Sequence, residues 1–434
     1  MTARRTETVV ILGTTLASLV AAYELARQGC RLTIIDHPHW ADDLSVSETV
    51  LGCHHAIHTL LRAFPEPDAT SGDKTISPEF RLPDGRIVSY RPTTLPGSLH
   101  WIAGLVRFRG LSWNDRWQLL SYLERIWEQD ISIPTALDHR TADTWLASIG
   151  QSQSARETIW APLLRFLTGN ALTDLSAAAC ARILGPPFLT GAHASRCTRL
   201  DSSRRQRLHE HLRTALRQLG ADILTQPDLP HIQFEQHRIA HLRLCDGQTI
   251  HATWFLSGIT HHALLTLLPD RLLTRYSYFS NISELTDLPA VSIQLTGPAP
   301  SPATRLILLP GPAFQSVITS ATDASNSAYE LSAVGDTSFI ERTDTDLITL
   351  AKKEIRALFP AIRTTDLYPT VIHRRTHATL SLKADTAILR PIQQSPIQNF
   401  LVAGSWTDTG WPDNCESAVV SAYRCAATIT GATS

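Results

Sequence analysis

No run of eighteen consecutive apolar residues occurs anywhere in this 434-residue chain, which excludes a membrane-spanning helix of ordinary length. The polar N-terminus leads straight into the first apolar segment, so no signal peptide is expected. Neither charge dominates: 39 Lys and Arg against 40 Asp and Glu leave a formal charge of −1, with no electrostatic footprint for nucleic acid. The seven cysteines, at 30, 53, 180, 197, 245, 415 and 425, form no CxxC and are odd in number. They argue against a disulfide framework and for reduced thiols in a cytoplasmic setting. There is no GxSxG, hence no serine elbow, and no HExxH. His54 and His58, like His373 and His377, stand four apart, the helical spacing at which two imidazoles share zinc. No closely spaced carboxylate accompanies either pair, and among 18 histidines such pairs arise by coincidence, so no metal is expected. The run Arg204-Arg205-Gln206-Arg207 reads as a solvated helix face.

What the chain does contain is concentrated at its two ends. Its length is too great for one ordinary core, and 43% hydrophobic residues suffice for two, so two interleaved domains are expected. Thr8 to Leu12 reads as a buried parallel strand, Gly13 to Ser18 as a tight turn, Leu16 to Gln28 as a helix, and Arg31 to Ile35 as a second strand ending in Asp36. That is a βαβ unit, with Asp36 placed 23 residues after Gly13 to accept hydrogen bonds from a ribose. Near the C-terminus an apolar run ends at Gly404, a Gly/Thr/Pro-rich turn follows, and an amphipathic helix opens near Pro412 with Glu416 in its first turns. A strand, loop and helix N-terminus of this kind form an anion site. Taken singly, Asp413 or Asn414 reads equally well as an ordinary helix cap.

The Gly-rich turn departs from GxGxxG, since it reads Gly13-Thr14-Thr15-Leu16-Ala17-Ser18. If the second position demands positive φ, Thr15 costs on the order of 1–3 kcal/mol, whereas Ser18 is little bigger than the Ala tolerated at the third. No glycine lies between Gly29 and Gly52.

The string Asn399 to Tyr423, with Trp406, Thr407-Asp408-Thr409-Gly410-Trp411-Pro412 and Glu416, resembles the flavin-closing motif of the amine oxidase and phytoene desaturase superfamily, and within it that of the hydroxysqualene dehydroxylases. Leu95 to Leu105, Arg107 to Ser112, Trp160 to Leu164 and Thr168 to Ala171 resemble the substrate-domain segments of the same group in order and spacing, and Arg390-Pro391 matches its dipeptide at the re-entry to the cofactor domain. The resemblance implies an α/β fold: a Rossmann-like FAD-binding domain (1–60, 196–269, 385–434) with an interleaved mixed α+β substrate domain (61–195, 270–384). It implies FAD held by Gly13, Thr15, Leu16, Ser18 and Asp36 at the adenosine diphosphate half, by Leu229 near adenine, and by Gly404, Ser405, Glu416 and Ala418 at the ribityl and ring end. It also implies redox chemistry on an apolar isoprenoid, hydroxysqualene to squalene, beside other hopanoid or squalene pathway enzymes. Arg375 and His377 are the candidates for a general acid. Three positions depart from the group's pattern: Thr15, the missing GGR segment after the acidic residue, and Ser405 in place of an aspartate. They leave two rivals, a non-catalytic isoprenoid-binding or partner subunit with a degraded flavin site and, against the C-terminal motif, an NAD(P) dehydrogenase.

Between residues 95 and 127, Trp101, Phe108, Trp113, Trp117 and Trp127 alternate with Arg107, Arg109, Arg116 and Arg125. This is the composition of a surface that dips into a bilayer interface, here the inner face of the membrane. Because helical Leu/Trp stripes are usually core, the favoured reading is a core-facing stripe with snorkelling arginines. Further on, Asp201 to Ser203 should cap a helix to Gln218, Gly220 should end it, and strands should follow around Ile223, Ile239 to Leu244 and Thr253 to Leu256.

Overall fold

The structure is a computed structural model that describes residues 7–65, 76–91, 93, 99–127, 135–189, 193–194, 196–301, 304–311, 313–323 and 325–431. Its strands, in chain order, are β1 (Thr8–Leu12), β2 (Arg31–Asp36), β3 (Glu48–Leu51), β4 (Pro78–Arg81), β5 (Ile87–Ser89), β6 (Cys197–Leu200), β7 (Asp222–Thr225), β8 (His231–Glu235), β9 (Arg238–Arg243), β10 (Thr249–Ile250), β11 (Trp254–Ser257), β12 (Asp287–Pro298), β13 (Arg305–Leu308), β14 (Ser316–Ala321), β15 (Asn326–Val334), β16 (Tyr368–Leu380) and β17 (Phe400–Val402).

Five of them form a parallel sheet in the order β17-β11-β1-β2-β7, assembled from three distant stretches of chain. The continuous apolar run of β1 follows from burial on both faces, with alternate side chains serving each. Val9 and Ile11 pack with Leu19 and Val20 of the helix Leu16–Arg27, Leu212 of the helix Ser202–Gln218 and Val419 of the helix Cys415–Thr430. Val10 and Leu12 face the other way, into a cluster that contains Ile232, Phe234 and Leu242 from the small sheet β10-β9-β8.

The second large sheet has the order β16-β12-β15-β14-β13-β4-β5, antiparallel except where β13 meets β4. One face packs Ile293, Ile307 and Leu331 on Leu347, Ala351 and Ile355 of the helix Asp344–Leu358; on the other face Leu306 and Leu308 join Phe108, Ile159 and Leu164. The pair β3–β6 links residues 48–51 to 197–200 between these sheets.

Several elements follow the sequence reading closely. The helix after β1 ends at Arg27, the helix from Ser202 is capped by Asp201 and ends at Gln218, and the segment from Trp113 is helical to Trp127. The Ala-rich helix runs Ala177–Leu189. The last helix opens at Cys415, three residues beyond Pro412, because the Asn414 side chain accepts the Ser417 amide and sets the cap there. Among the described residues no cysteine is joined in a disulfide.

Other expectations are corrected. His373 and His377 lie on β16, where a four-residue separation is an extended one and the two rings cannot meet as on a helix. His54 precedes its helix, His55–Ala63, and its Nδ1 accepts the Leu51 amide while its ring packs edge-on to Trp411. Arg205 is not on a solvated face: its guanidinium pairs with Glu48 at 2.8 Å and donates to the carbonyls of Asp43 and Val46. Trp113 and Trp117 are exposed, at 66% and 61%, so the core-facing reading fails for them, although Phe108 is buried. The side chains of Trp101, Arg125 and Trp127, and the stretch 95–98, lie outside the described residues.

Candidate functional site

The turn after β1 brings Gly13, Thr15, Leu16 and Ser18 together at the C-terminal edge of the parallel sheet, where doubly wound proteins bind ligands. Gly13 is required twice over: its φ is +91°, and a Cβ there would lie 2.5 Å from Ile259 Cγ2. Thr15 corrects the sequence reading, because its φ is −65° and its ψ 166°, ordinary extended values that store no strain. The residue is the helix cap. Its Oγ1 accepts the Ser18 amide and donates to the Gly258 carbonyl. Ser18 is fully buried, donates to the Leu12 carbonyl, and occupies the space a Cβ on Gly258 would need, so this third position locks the helix against the loop after β11.

Asp36 stands at the end of β2 as expected. Its Oδ1 accepts from Thr14 Oγ1 at 2.7 Å and its Oδ2 from the Arg213 guanidinium at 3.3 Å, while Arg213 also donates to Thr14 Oγ1. Leu229 lies between β7 and β8 with 45% of its surface exposed.

At the other end, Gly404 has φ +150° and sits against the Trp406 indole, and its amide donates to Ser421 Oγ. The loop that follows is held by Arg390, whose guanidinium, lowered in pKa by burial, donates to the carbonyls of Ser405, Trp406, Thr407 and Trp411. Trp406 Nε1 donates to the Ile259 carbonyl, tying this loop to the one after β11. The Ser405 carbonyl also accepts from Ser417 Oγ, and Ala418 is buried in the first turn of the last helix. Burial pushes the Asp413 carboxyl up against the hydrogen bonds it accepts from Ser405 and the Leu380 amide. The Glu416 carboxylate accepts the amides of Ala56 and Ile57 and so caps the helix His55–Ala63; burial raises its pKa against those two bonds.

Residues the sequence reading passed over complete the arrangement. The Asp42 carboxylate accepts the Leu16 amide at 2.7 Å, at the N-terminus of the first helix. Glu48 accepts the Cys415 amide at 3.2 Å, at the N-terminus of the last. Burial raises the Glu48 carboxyl, but Arg205, the Cys415 contact and Arg375 outweigh it and hold it below the ordinary range. Asp43 faces Arg375 at 3.7 Å. The signal was present in the sequence as acids at 36, 42, 43 and 48 in a glycine-free stretch.

These donors fit a flavin adenine dinucleotide. Two helix N-termini at one sheet edge accept anions; the carboxylates Asp42 and Glu48 occupy them here, and a cofactor diphosphate would have to displace Asp42 from the Leu16 amide. An acid closes β2 beside them, and Gly13 lets the turn pass close against Ile259. Arg375 and His377, the acid candidates, pair with Asp43 and Asp287.

Comparison with known proteins agrees. A family model described as flavin containing amine oxidoreductase matches residues 47–430, beginning beyond the Gly13 to Asp36 unit. The chain is 22% identical to a zeta-carotene desaturase of Synechocystis sp., over 68% of this chain and 66% of that one, so it spans about two thirds of that relative. It is 22% identical to the 15-cis-phytoene desaturase, chloroplastic/chromoplastic, of Arabidopsis thaliana, over 97% of this chain and 79% of that one. Among solved structures, an oxidoreductase from Methanosarcina mazei superposes with a TM-score of 0.74 at 12% identity, covering 96% of this chain and 99% of the other. A putrescine oxidase bound to putrescine superposes with 0.70 at 12% identity, covering 98% and 99%.

Proposed function

Because the chain belongs to the flavin containing amine oxidoreductase family, and with it to the FAD-dependent oxidoreductases, we propose that it acts on an apolar isoprenoid and replaces the hydroxyl of hydroxysqualene by hydrogen to give squalene. The observation that supports the substrate class is the match over 97% of the chain to a desaturase of phytoene, itself an isoprenoid hydrocarbon. The narrower substrate rests on the resemblance of the Thr407 to Pro412 turn and of the 95–171 segments to hydroxysqualene dehydroxylases.

The net change breaks one C–O bond, forms one C–H bond, releases water and consumes two electrons and two protons. Bound FAD supplies the hydride chemistry, for which no protein nucleophile is needed. Gly13, Thr15, Leu16 and Ser18 shape the turn and first helix N-terminus that would face the diphosphate once Asp42 leaves the Leu16 amide, and Asp36 would offer its carboxylate to the ribose. Leu229 borders the adenine end. Gly404, Ser405, Glu416 and Ala418 shape the ribityl and ring end. Arg390 keeps the 405–411 loop rigid by occupying four of its carbonyls. The apolar cluster around Phe108, Ile159, Trp160 and Leu164 provides a water-poor wall.

Exposed Trp113 and Trp117 beside Arg116 would rest on the inner face of the membrane, where the substrate and its hopanoid or squalene pathway partner enzymes are met. Among the described residues no helix is long and apolar enough to cross a membrane.

The test is anaerobic. Protein loaded with FAD and chemically reduced is mixed with hydroxysqualene in detergent, and flavin reoxidation is followed with squalene as the assayed product. Reoxidation by hydroxysqualene with stoichiometric squalene is expected; reoxidation only by other isoprenoids would overturn the narrower substrate. A colourless protein that binds no added FAD would return the non-catalytic reading.

A further inference from the structure

Beside the cofactor loops, at the junction between the parallel sheet and the seven-stranded sheet, three imidazoles converge on one carboxylate. His261 and His262 open the short helix after β11, Asp287 begins β12, and His377 lies on β16. Asp287 Oδ2 is 2.9 Å from His262 Nε2 and 3.3 Å from His377 Nδ1, and its Oδ1 is 3.7 Å from His261 Nε2. The rings of His261 and His262 are 4.0 Å apart, those of His262 and His377 4.3 Å. Donor atoms of His261, His262 and Asp287 all lie within 4.8 Å of one another.

Hydrogen bonding alone leaves this cluster incomplete. The His261 side chain is 4% exposed, and its Nε2 is a buried nitrogen with no hydrogen-bond partner, aimed at a carboxylate oxygen too distant to bond. Asp287 is 9% exposed and has a second buried carboxylate, Asp413, as a repulsive neighbour. The cluster therefore joins one buried carboxylate to a buried imidazole nitrogen that has no partner, and a cation satisfies both.

We propose that His261, His262, His377 and Asp287 form a binding site for one zinc(II) ion. Tetrahedral zinc with ligands at about 2.0–2.2 Å holds its donors roughly 3.3 Å apart; the three separations to Asp287, 2.9, 3.3 and 3.7 Å, lie near that value, while the donor atoms of His261 and His262, within 4.8 Å of Asp287 and of each other, have to draw together and the exposed His377, outside that group of three, has to swing toward it. Three imidazoles and a carboxylate are a borderline-soft donor set, suited to zinc rather than to calcium or magnesium. His262 and His377, 43% and 61% exposed, leave an entry path, while His261 and Asp287 form the buried floor. The site is a clasp. It joins the loop after β11, whose Ile259 carbonyl holds Trp406, to β12 and β16 of the other sheet, and the His261 ring packs 5.8 Å from that same Trp406.

The test uses full-length protein freed of metal by a chelator and then dialysed. Calorimetric titration with zinc(II) should show one equivalent bound per chain, zinc should raise the melting temperature, and cobalt(II) substitution should give the intense visible bands of tetrahedral coordination. His262→Gln and His377→Gln, at exposed positions and still able to donate a hydrogen bond to Asp287, should leave the metal-free melting temperature nearly unchanged while weakening zinc by at least the tenfold lost when an outer partner of a zinc ligand is removed. His211→Ala, an exposed histidine on a distant helix, should bind as the wild type does. A wild type with no zinc-dependent rise in melting temperature and no tetrahedral cobalt spectrum would overturn the site and leave a hydrogen-bonded cluster only. Binding that survives both substitutions would place the metal elsewhere and overturn it equally.

Discussion

At the scale of single residues, Thr15 and Asp36 show how backbone and partners decide what a side chain does. Thr15 stands where a cofactor fold has glycine, yet its extended backbone and capping hydroxyl make it a stabilising residue rather than a strained one. Thr15→Gly should therefore cost about 0.5 kcal/mol of stability, the modest loss on exchanging a hydroxyl cap for glycine, without tightening FAD. Calorimetry of the apo protein and fluorescence titration with FAD check both halves; a gain in affinity of tenfold would restore the reading of Thr15 as a costly replacement for glycine. Asp36 is already bonded to Thr14 and Arg213, so its carboxylate is oriented before a ribose arrives. Asp36→Ala should weaken FAD by tenfold or more, from the roughly 1.5–3 kcal/mol of charge-assisted hydrogen bonds, with little change in apo melting temperature. An unchanged dissociation constant would remove Asp36 from the site.

At the scale of elements, the segment from Asp42 to β3 holds two helices by their N-termini. Arg205 on the helix Ser202–Gln218 secures it through Glu48 and through the carbonyls of Asp43 and Val46. Breaking a largely buried pair leaves an uncompensated charge, so Arg205→Ala should destabilise by about 2–3 kcal/mol, below the full buried-pair figure because Glu48 keeps some exposure. Glu48→Gln in the same background should recover part of this; urea unfolding of the double-mutant cycle measures it, and simple additivity would argue against coupling.

His54 supplies the pH dependence of this layer. Burial, with His58 as a like-charged neighbour, lowers it from 6.5 to about 3, so the fold holds it neutral. Its contribution is fully present above pH 6.5 and is lost as pH falls from 6.5 toward about 3, where the unfolded chain binds a proton that the folded one refuses. Melting curves across that window should fall more steeply for wild type than for His54→Gln, and parallel curves would refute the assignment.

At the scale of the molecule, the proposed membrane contact rests on the exposed indoles of Trp113 and Trp117. Amphipathic aromatic rings prefer the headgroup region, and Arg116, stacked 6.0 Å from Trp113, suits an anionic surface. Wild type should float with anionic liposomes and the Trp113→Ala/Trp117→Ala pair should stay at the bottom of the gradient with an unchanged melting temperature. Equal flotation of both would assign the two indoles another role. The two sheets share one continuous apolar cluster, so the segment 113–117 and the loops at 404–418 belong to a single packed body.

Much of this was legible in local sequence. Helix limits at Leu16, Ser202 and Gln218 follow from caps and periodicity, and the strand ending at Asp36 follows from an apolar run buried on both faces. The Gly13 requirement is local as well, since positive φ belongs to the backbone of one residue. Only the tertiary structure decided the long-range pairings. Asp42 on Leu16, Glu48 between Arg205 and Cys415, and Arg390 on four carbonyls join residues whose spacing carries no period. The same holds for the imidazoles at 261, 262 and 377 around Asp287, which no helical spacing could reveal because one of them stands on a strand and meets the others across a sheet junction. Periodicity reports which face of an element is buried; which charged side chains then share that interior depends on how the elements cross, and that is set by packing.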